Sequence, residues 1–428
     1  MISPSVRRRP PDIPSLRLIA IVLIAVSTTR GNAADPQPIA LNSPLPYGPA
    51  PINYFDDEED NPIRQLQSRL DDGQVTLQTQ GDSGYLTDLL RALQINVASQ
   101  TLVFSRTSLN QALVKPNNPR AIYFNDDVTV GWVPAAAALE IAVQDPKKGT
   151  LFYTLAQPTG HPATDPDAPP SFRFHRDSRC TACHISARTL HVPGHVISSF
   201  LTDSIGQPHE GYSAINHSTP FKQRWGGWYV TGNAPNLNHW GNLVGQADAF
   251  RHRQDPTYRG ALDDLASLVD LSRYPSTHSD AVALLVLNHQ MHFYNLVNRA
   301  NFEHRLQRRS DAEERLVTYI LMSDEAPLAG PVRGTTKFAE IYQTQGLHDD
   351  SGRSLTKLDL QTRLFKFDIS PLITSRSFQR LPDEVRRRLY QRIDAELSKR
   401  DDPAAREIVR AIIPDWPGHQ DQSGSGKP

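Results

Sequence analysis

The sequence predicts an α+β fold, in which an antiparallel β-meander packs with a mainly helical, loop-rich middle region and with C-terminal helices. Three observations predict it. Residues 100–157 hold five short runs rich in β-branched and aromatic residues. Apolar residues at helical spacing come before and after that stretch. With 428 residues, 38% apolar and 21% charged, the chain has ample material for a core of more than one layer.

Taken in order, the chain opens with the pattern of an export signal. Arg7, Arg8, Arg9 and Arg17 form a basic start, "LIAIVLIAV" (Leu18 to Val26) an apolar run of nine, and "GNAAD" offers small residues for cleavage after Ala33 or Ala34. Nine residues are too few to span a bilayer as a helix. Residues 1–33 are therefore expected to be a signal peptide, with a short N-terminal anchor as the alternative because Arg30 lies close to the cleavage site. Their removal takes five Arg and one Asp and leaves a net charge of about −5 with His neutral. That balance gives no reason to expect nucleic acid, and no later apolar run approaches membrane length. A periplasmic or secreted protein without a stable membrane span after cleavage is expected.

Residues 34–62, rich in proline and ending in "DDEED", predict an extended linker. Residues 63–157 follow as a helix and meander region. "NPIRQLQSRLDDG" and "GYLTDLLRALQI" place leucines on one helical side, and "TLVFS", "AIYF", "VTVGWV", "LEIAV" and "TLFYTLA" supply the strands, with "NDD" and "DPKKG" as turns. Residues 158–325 begin with the loop "QPTGHPATDPDAPPSF", carry the chain's only two cysteines, run through an aperiodic aromatic stretch, and return to helices at "GALDDLASLVDL" and "SDAVALLVLNHQMHFYNLVNRANFEHRL". "SDAE", Ser310 to Glu313, reads as a capping box. Residues 326–414 predict helices at 382–397 and 403–413, and 415–428 a disordered tail.

The cysteines stand in "RCTACH" as Cys180 and Cys183, followed at once by His184. A thioredoxin-like dithiol needs a βαβ context, and the strands here form a meander. Structural zinc needs about four ligands, so Cys180 and Cys183 would have to recruit, for example, His191 and His195. A disulfide would close a very small loop and stabilise little. C-x-x-C-H is the attachment signature of c-type haem. In a helical turn, positions i, i+3 and i+4 share a face, so both thiols can form thioethers while His184 serves as proximal iron ligand. That chemistry takes place outside the cytoplasm, where the signal directs the chain. One covalent haem c is expected, and the middle region becomes a c-type haem-binding region.

The sixth iron ligand stays open. On the long helix, Val282, Leu285, Val286, His289, Phe293 and Leu296 form one stripe with His289 in its middle. Met291 lies about 200° around the axis, on a second apolar face with Leu284, Leu287 and Tyr294. His239, in an aromatic region, and His195, eleven residues after His184, are further candidates, and an open site is the remaining one. Trp225, Trp228, Tyr229 and Trp240 read equally as a haem-packing wall or as ordinary core. Arg176 with His175, and Arg188, are suited to haem propionates, or else form a solvated basic loop.

"SQTLVFSRTSL", "AIYFNDDVTVGWV", the C-x-x-C-H followed by "RTLHVPGH", "RWGGWYVTGN", "LLVLNHQMHFYNLVNRANFE" and "GRSLTKLDLQTRLFKF" together resemble exported bacterial cytochrome c domain-containing proteins with a single C-x-x-C-H haem motif. The resemblance covers about residues 60 to 400. It implies one haem at Cys180, Cys183 and His184, a histidine at the positions of His289 and His239, and a methionine where this chain has Trp240. It also implies that the flanking parts pack around the haem as one body.

The expected function is one-electron transfer through iron held by His184, with a redox protein or a small-molecule donor or acceptor as partner. The rivals are a haem oxidoreductase or peroxidase-like enzyme with an open distal site, where His289 or His239 acts as acid–base group, a haem-based sensor, and a zinc protein without haem.

Overall fold

The computed structural model describes residues 36–158 and 172–419. The expected signal peptide, most of the proline-rich loop and the end of the expected tail lie outside them. The observed architecture is α+β.

The first described segment contains a short strand β1 (Gln37–Pro38), which pairs with Arg308–Arg309. Helix α1 (Pro62–Asp71) follows, with Asn61 as N-cap: its side chain accepts from the backbone of Ile63 and Arg64 at 3.0 and 3.1 Å. The expected linker 34–62 is corrected here. Leu45, Ile52 and Tyr54 are buried in the main core, and Tyr54 donates to the Thr150 carbonyl. Proline richness hides apolar residues whose burial has no helical or strand period, so it reads as a linker.

Helix α2 (Leu86–Ala92) leads into the sheet. Its strands are β2 (Thr101–Val103), β3 (Arg120–Phe124), β4 (Val128–Trp132), β5 (Ala138–Asp145), β6 (Gly149–Ala156) and β7 (Phe174–Arg176). A hairpin, β8 (Ser199–Thr202) and β9 (Pro208–Tyr212), stands apart. Strand β10 (Trp228–Tyr229) returns to the far edge, giving one seven-stranded antiparallel sheet in the order β10-β2-β3-β4-β5-β6-β7. The expected meander is its centre. Alternation gives the sheet two faces. Leu139, Ile141, Val143, Leu151, Tyr153 and Leu155 face α1 and α2 in one core cluster. Glu140, Ala142, Phe152 and Thr154 face the other way, and Ala142 and Thr154 are only half-buried.

Beyond the sheet come α3 (Thr181–His184), α4 (Gly245–Gln254), α5 (Ala281–Arg305), α6 (Ala312–Ile320), α7 (Phe338–Thr344), α8 (Arg376–Gln379), α9 (Asp383–Leu397) and α10 (Ala404–Ile412). Helix α5 is the axis of this half. Asp280 caps it, accepting from Val282 and Ala283 at 2.8 and 3.1 Å. Its first half packs with the β2, β3 and β10 edge and α7, its second half with α6, α8, α9 and α10. Every residue of α5 is buried except His292, His304 and Arg305. Among the described residues no helix is long and apolar enough to cross a membrane.

Three local expectations are corrected. "GALDDLASLVDL" forms turns around buried Leu265 and Val269, because Asp264 and Asp270 accept from the backbone two residues on and break the helix ladder. Ser310 accepts from Ala312, but Glu313 pairs with Arg388 rather than reaching back, so the capping box is not closed. The tail is packed as far as Trp416, which is buried and donates to Asp394. Helix α4, "GQADAFRHRQ", carries no apolar stripe and gave no sequence signal.

Candidate functional site

The cysteine segment leaves the edge of the sheet in a fixed way. After β7, the Asp177 backbone donates to the Phe152 carbonyl, and its carboxylate accepts from the Arg179 backbone at 3.0 Å. A turn of 3₁₀ helix over Ser178–Cys180 runs straight into α3, with Cys180 itself in helical conformation. Cys180, Cys183 and His184 thus share one helical turn. Both thiols are free; Cys183 is exposed and Cys180 half-buried. Burial, and then the Asp177 and Glu140 carboxylates, push the Cys180 thiol up to about 12.

His184 is held from behind. The chain passes through a turn at Ala187–Thr189, with Leu190 and His191 in left-handed conformation, and comes back to Gly194. The Gly194 backbone donates to the His184 carbonyl at 3.0 Å, and its carbonyl accepts from His184 Nδ1 at 2.9 Å. Glycine is required there, because a Cβ would lie 2.2 Å from Asn295 Oδ1. The carbonyl fixes the hydrogen on Nδ1, so Nε2 carries the lone pair. Among the described residues Nε2 makes no hydrogen bond. The ring packs on Phe152, with centroids 4.7 Å apart, over the half-buried sheet face. Burial lowers the His184 pKa to about 4, against the pull of the Gly194 carbonyl, so the imidazole is neutral near pH 7.

Arg120 belongs to the same place, and nothing in the sequence marked it. Its charge acts on both Cys180 and His184. It pairs with Glu140 at 2.6 Å across Gly131, where a Cβ would lie 2.2 Å from an Arg120 guanidinium nitrogen. Its Nε is buried with no hydrogen-bond partner among the described residues. An unpaired buried donor costs free energy, so it is a place where a ligand acceptor fits.

The other candidate residues are placed as follows. His289 is fully buried and uses both nitrogens, Nδ1 with His217 at 2.8 Å and Nε2 with Ser370 at 2.7 Å. It is therefore a member of a core hydrogen-bond chain, which corrects its reading as an iron ligand. His239 is buried with its ring against Trp225, and its Nδ1 accepts from Gly241. His195 starts on the Nδ1 side of His184. Asn295 holds both its backbone N–H and carbonyl, and its Nε2 lies 2.7 Å from Gln144, so it is pinned behind His184 rather than across from it. Met291 is buried in the α5 core.

Arg176 is already engaged by Glu59 at 3.0 Å and by the Tyr54 and Asp56 carbonyls, which corrects its assignment to a propionate. Among the described residues Arg188 has only a 3.5 Å contact, to the Cys183 carbonyl. Trp225 donates to Asn288, Trp228 donates to the Ser198 carbonyl, and both lie in the core cluster of α5. The ring partners of Trp225 are Phe221 and His239, so the tryptophans form core. Among the described residues no three His, Cys, Asp or Glu side chains converge as a metal site, so Cys180 and Cys183 are not joined by His191 and His195 into zinc ligands. His217 bridges His289 to Asp324 and carries no sequence signal, because a lone histidine in "INHST" belongs to no period or motif.

Comparison with family models, with curated proteins and with solved structures returned no match.

Proposed function

We propose that the chain is an exported monohaem c-type cytochrome-like protein that transfers single electrons, with haem attached through Cys180 and Cys183 and His184 as proximal ligand. One observation carries this reading. The three residues of the motif share one helical turn, and the Gly194 carbonyl holds Nδ1 so that Nε2 is the free base. The fit is supported by the Arg120 Nε beside the turn, unpaired among the described residues, and by small half-buried side chains on the adjacent sheet face. Bound haem would supply one-electron redox chemistry at iron. The chain's own part is to hold the imidazole neutral, fix its tautomer and place Arg120 as a counter-charge for a carboxylate.

The test is co-expression of the full chain with a periplasmic haem-attachment system. Haem that stays with the chain on a denaturing gel, and is lost in Cys180→Ala and Cys183→Ala, supports the reading. A colourless protein ends it.

A second reading, a haem enzyme or sensor with an exchangeable sixth position, is favoured by one observation: the His289 and His195 rings bond to core partners and Met291 is buried in the core of α5. Carbon monoxide added to the ferrous protein separates the two. Immediate binding favours the second reading, and no binding favours electron transfer between two strong ligands.

A further inference from the structure

Behind the motif lies a cavity of about 580 Å³ between the segment after the C-x-x-C-H turn and helix α5, within the size range of small-molecule sites. Cys180, Cys183 and His184 do not line it. Its walls include Leu190, Ile215 and Met291 as apolar surface, and Arg188, His292 and Asn295 as polar groups. At its rim Arg315 and Asp311 form an exposed ion pair at 2.7 Å and cancel each other. Among the described residues Arg188 therefore leaves one uncompensated positive charge on the wall.

His292 is the polar group that α5 presents to the cavity. Along α5 every residue before the last turn is buried except this one, which is half-buried and lines the cavity. Its ring packs edge-on against Tyr319 at 5.1 Å, and it makes no hydrogen bond among the described residues. Burial lowers its pKa to about 4, so near pH 7 it offers one neutral donor and one acceptor.

We propose that this cavity binds a small organic carboxylate, with the acid group on the Arg188 guanidinium, the apolar body against Leu190, Ile215 and Met291, and His292 as second polar contact. A planar guanidinium suits a carboxylate through two parallel hydrogen bonds. One cation unpaired among the described residues, in a partly apolar chamber, selects a singly charged, amphipathic acid over a polyanion. The proposal does not depend on haem, since no wall residue belongs to the attachment turn.

The experiment is calorimetric titration of the full chain with benzoate and with its neutral isostere benzamide. Benzoate is expected to bind at least tenfold more tightly, and Arg188→Gln to remove that preference. Ala214 is exposed on the cavity lip, so Ala214→Phe fills the chamber from a position that tolerates bulk, and it is expected to abolish binding of both. Equal binding of the two probes, a preference that survives Arg188→Gln, binding that survives Ala214→Phe, or no benzoate binding at millimolar concentration would each overturn the proposal.

Discussion

His217 Nδ1 lies 2.8 Å from His289 Nδ1, and the two bonds at the ends of this pair fix its proton. Asp324 lies 2.9 Å from His217 Nε2 and, as a carboxylate, can only accept, so His217 Nε2 carries the hydrogen. His217 Nδ1 must then accept from His289 Nδ1, and His289 Nε2 accepts from Ser370, 2.7 Å away. The chain runs in one direction from the buried serine to a carboxylate at the surface. Tyr319 stacks against both rings and donates to the His289 carbonyl. His289→Ala removes both a core side chain and two hydrogen bonds. It is expected to cost about 2–4 kcal/mol in a urea titration. The absorption spectrum of attached haem is expected to stay unchanged. A shifted spectrum at unchanged stability would return His289 to the iron.

The two cysteines differ in reactivity before any attachment. Cys183 is exposed, whereas burial and two carboxylates hold the Cys180 thiol at about 12. Since the thiolate is the nucleophile, iodoacetamide at pH 8 is expected to label Cys183 well ahead of Cys180 in the haem-free chain. Peptide mass spectrometry at short times reads this directly, and equal labelling would contradict the burial of Cys180.

Asp394 ties the end of the chain to the helical half. It accepts from Arg406 at 2.8 and 2.7 Å and from the Trp416 indole at 3.0 Å, and these bonds bring its pKa down to about 2. Trp416 also packs on Tyr390, with ring centroids 4.8 Å apart. Trp416→Ala is expected to lower stability by about 3–5 kcal/mol. If Trp416→Ala melts like the parent chain, the packed tail is without consequence.

Periodic features were legible in the sequence. The strands of the meander and α1, α2, α5, α9 and α10 each show a two- or 3.6-residue pattern, and each forms at or close to its expected place. The helical turn of Cys180, Cys183 and His184 was equally legible, because its spacing is the motif. The packing of residues 36–62, the return of Gly194 to His184 and the burial of Arg120 over Gly131 were not. Each depends on which distant segment arrives, which no local spacing records. His289 shows the same limit: its stripe position announced burial, but its partners, His217 and Ser370, lie 72 and 81 residues away in sequence.

Acid should weaken the fold over a window set by buried histidines. Burial holds His239 and His292 at about 4, and lowers His217 and His289 as well, from an ordinary value of 6.5. A group whose folded pKa is depressed is neutral in the folded chain while the unfolded chain takes up a proton. Stability is then complete above about 6.5 and falls as pH drops toward 4, by up to about 1.4 kcal/mol per pH unit for each histidine. Asp126, raised by burial to about 6, and Asp127 and Glu325, also raised by burial, work in the opposite direction, but they are fewer than the depressed histidines, which include His184 and His195 as well. The urea midpoint is therefore expected to fall steadily between pH 7 and pH 5. His292→Gln, which keeps a neutral polar group facing the cavity, is expected to flatten that slope by about one proton while leaving the pH 7 midpoint nearly unchanged. A midpoint independent of pH over this range would mean that these imidazoles are not held neutral by the fold.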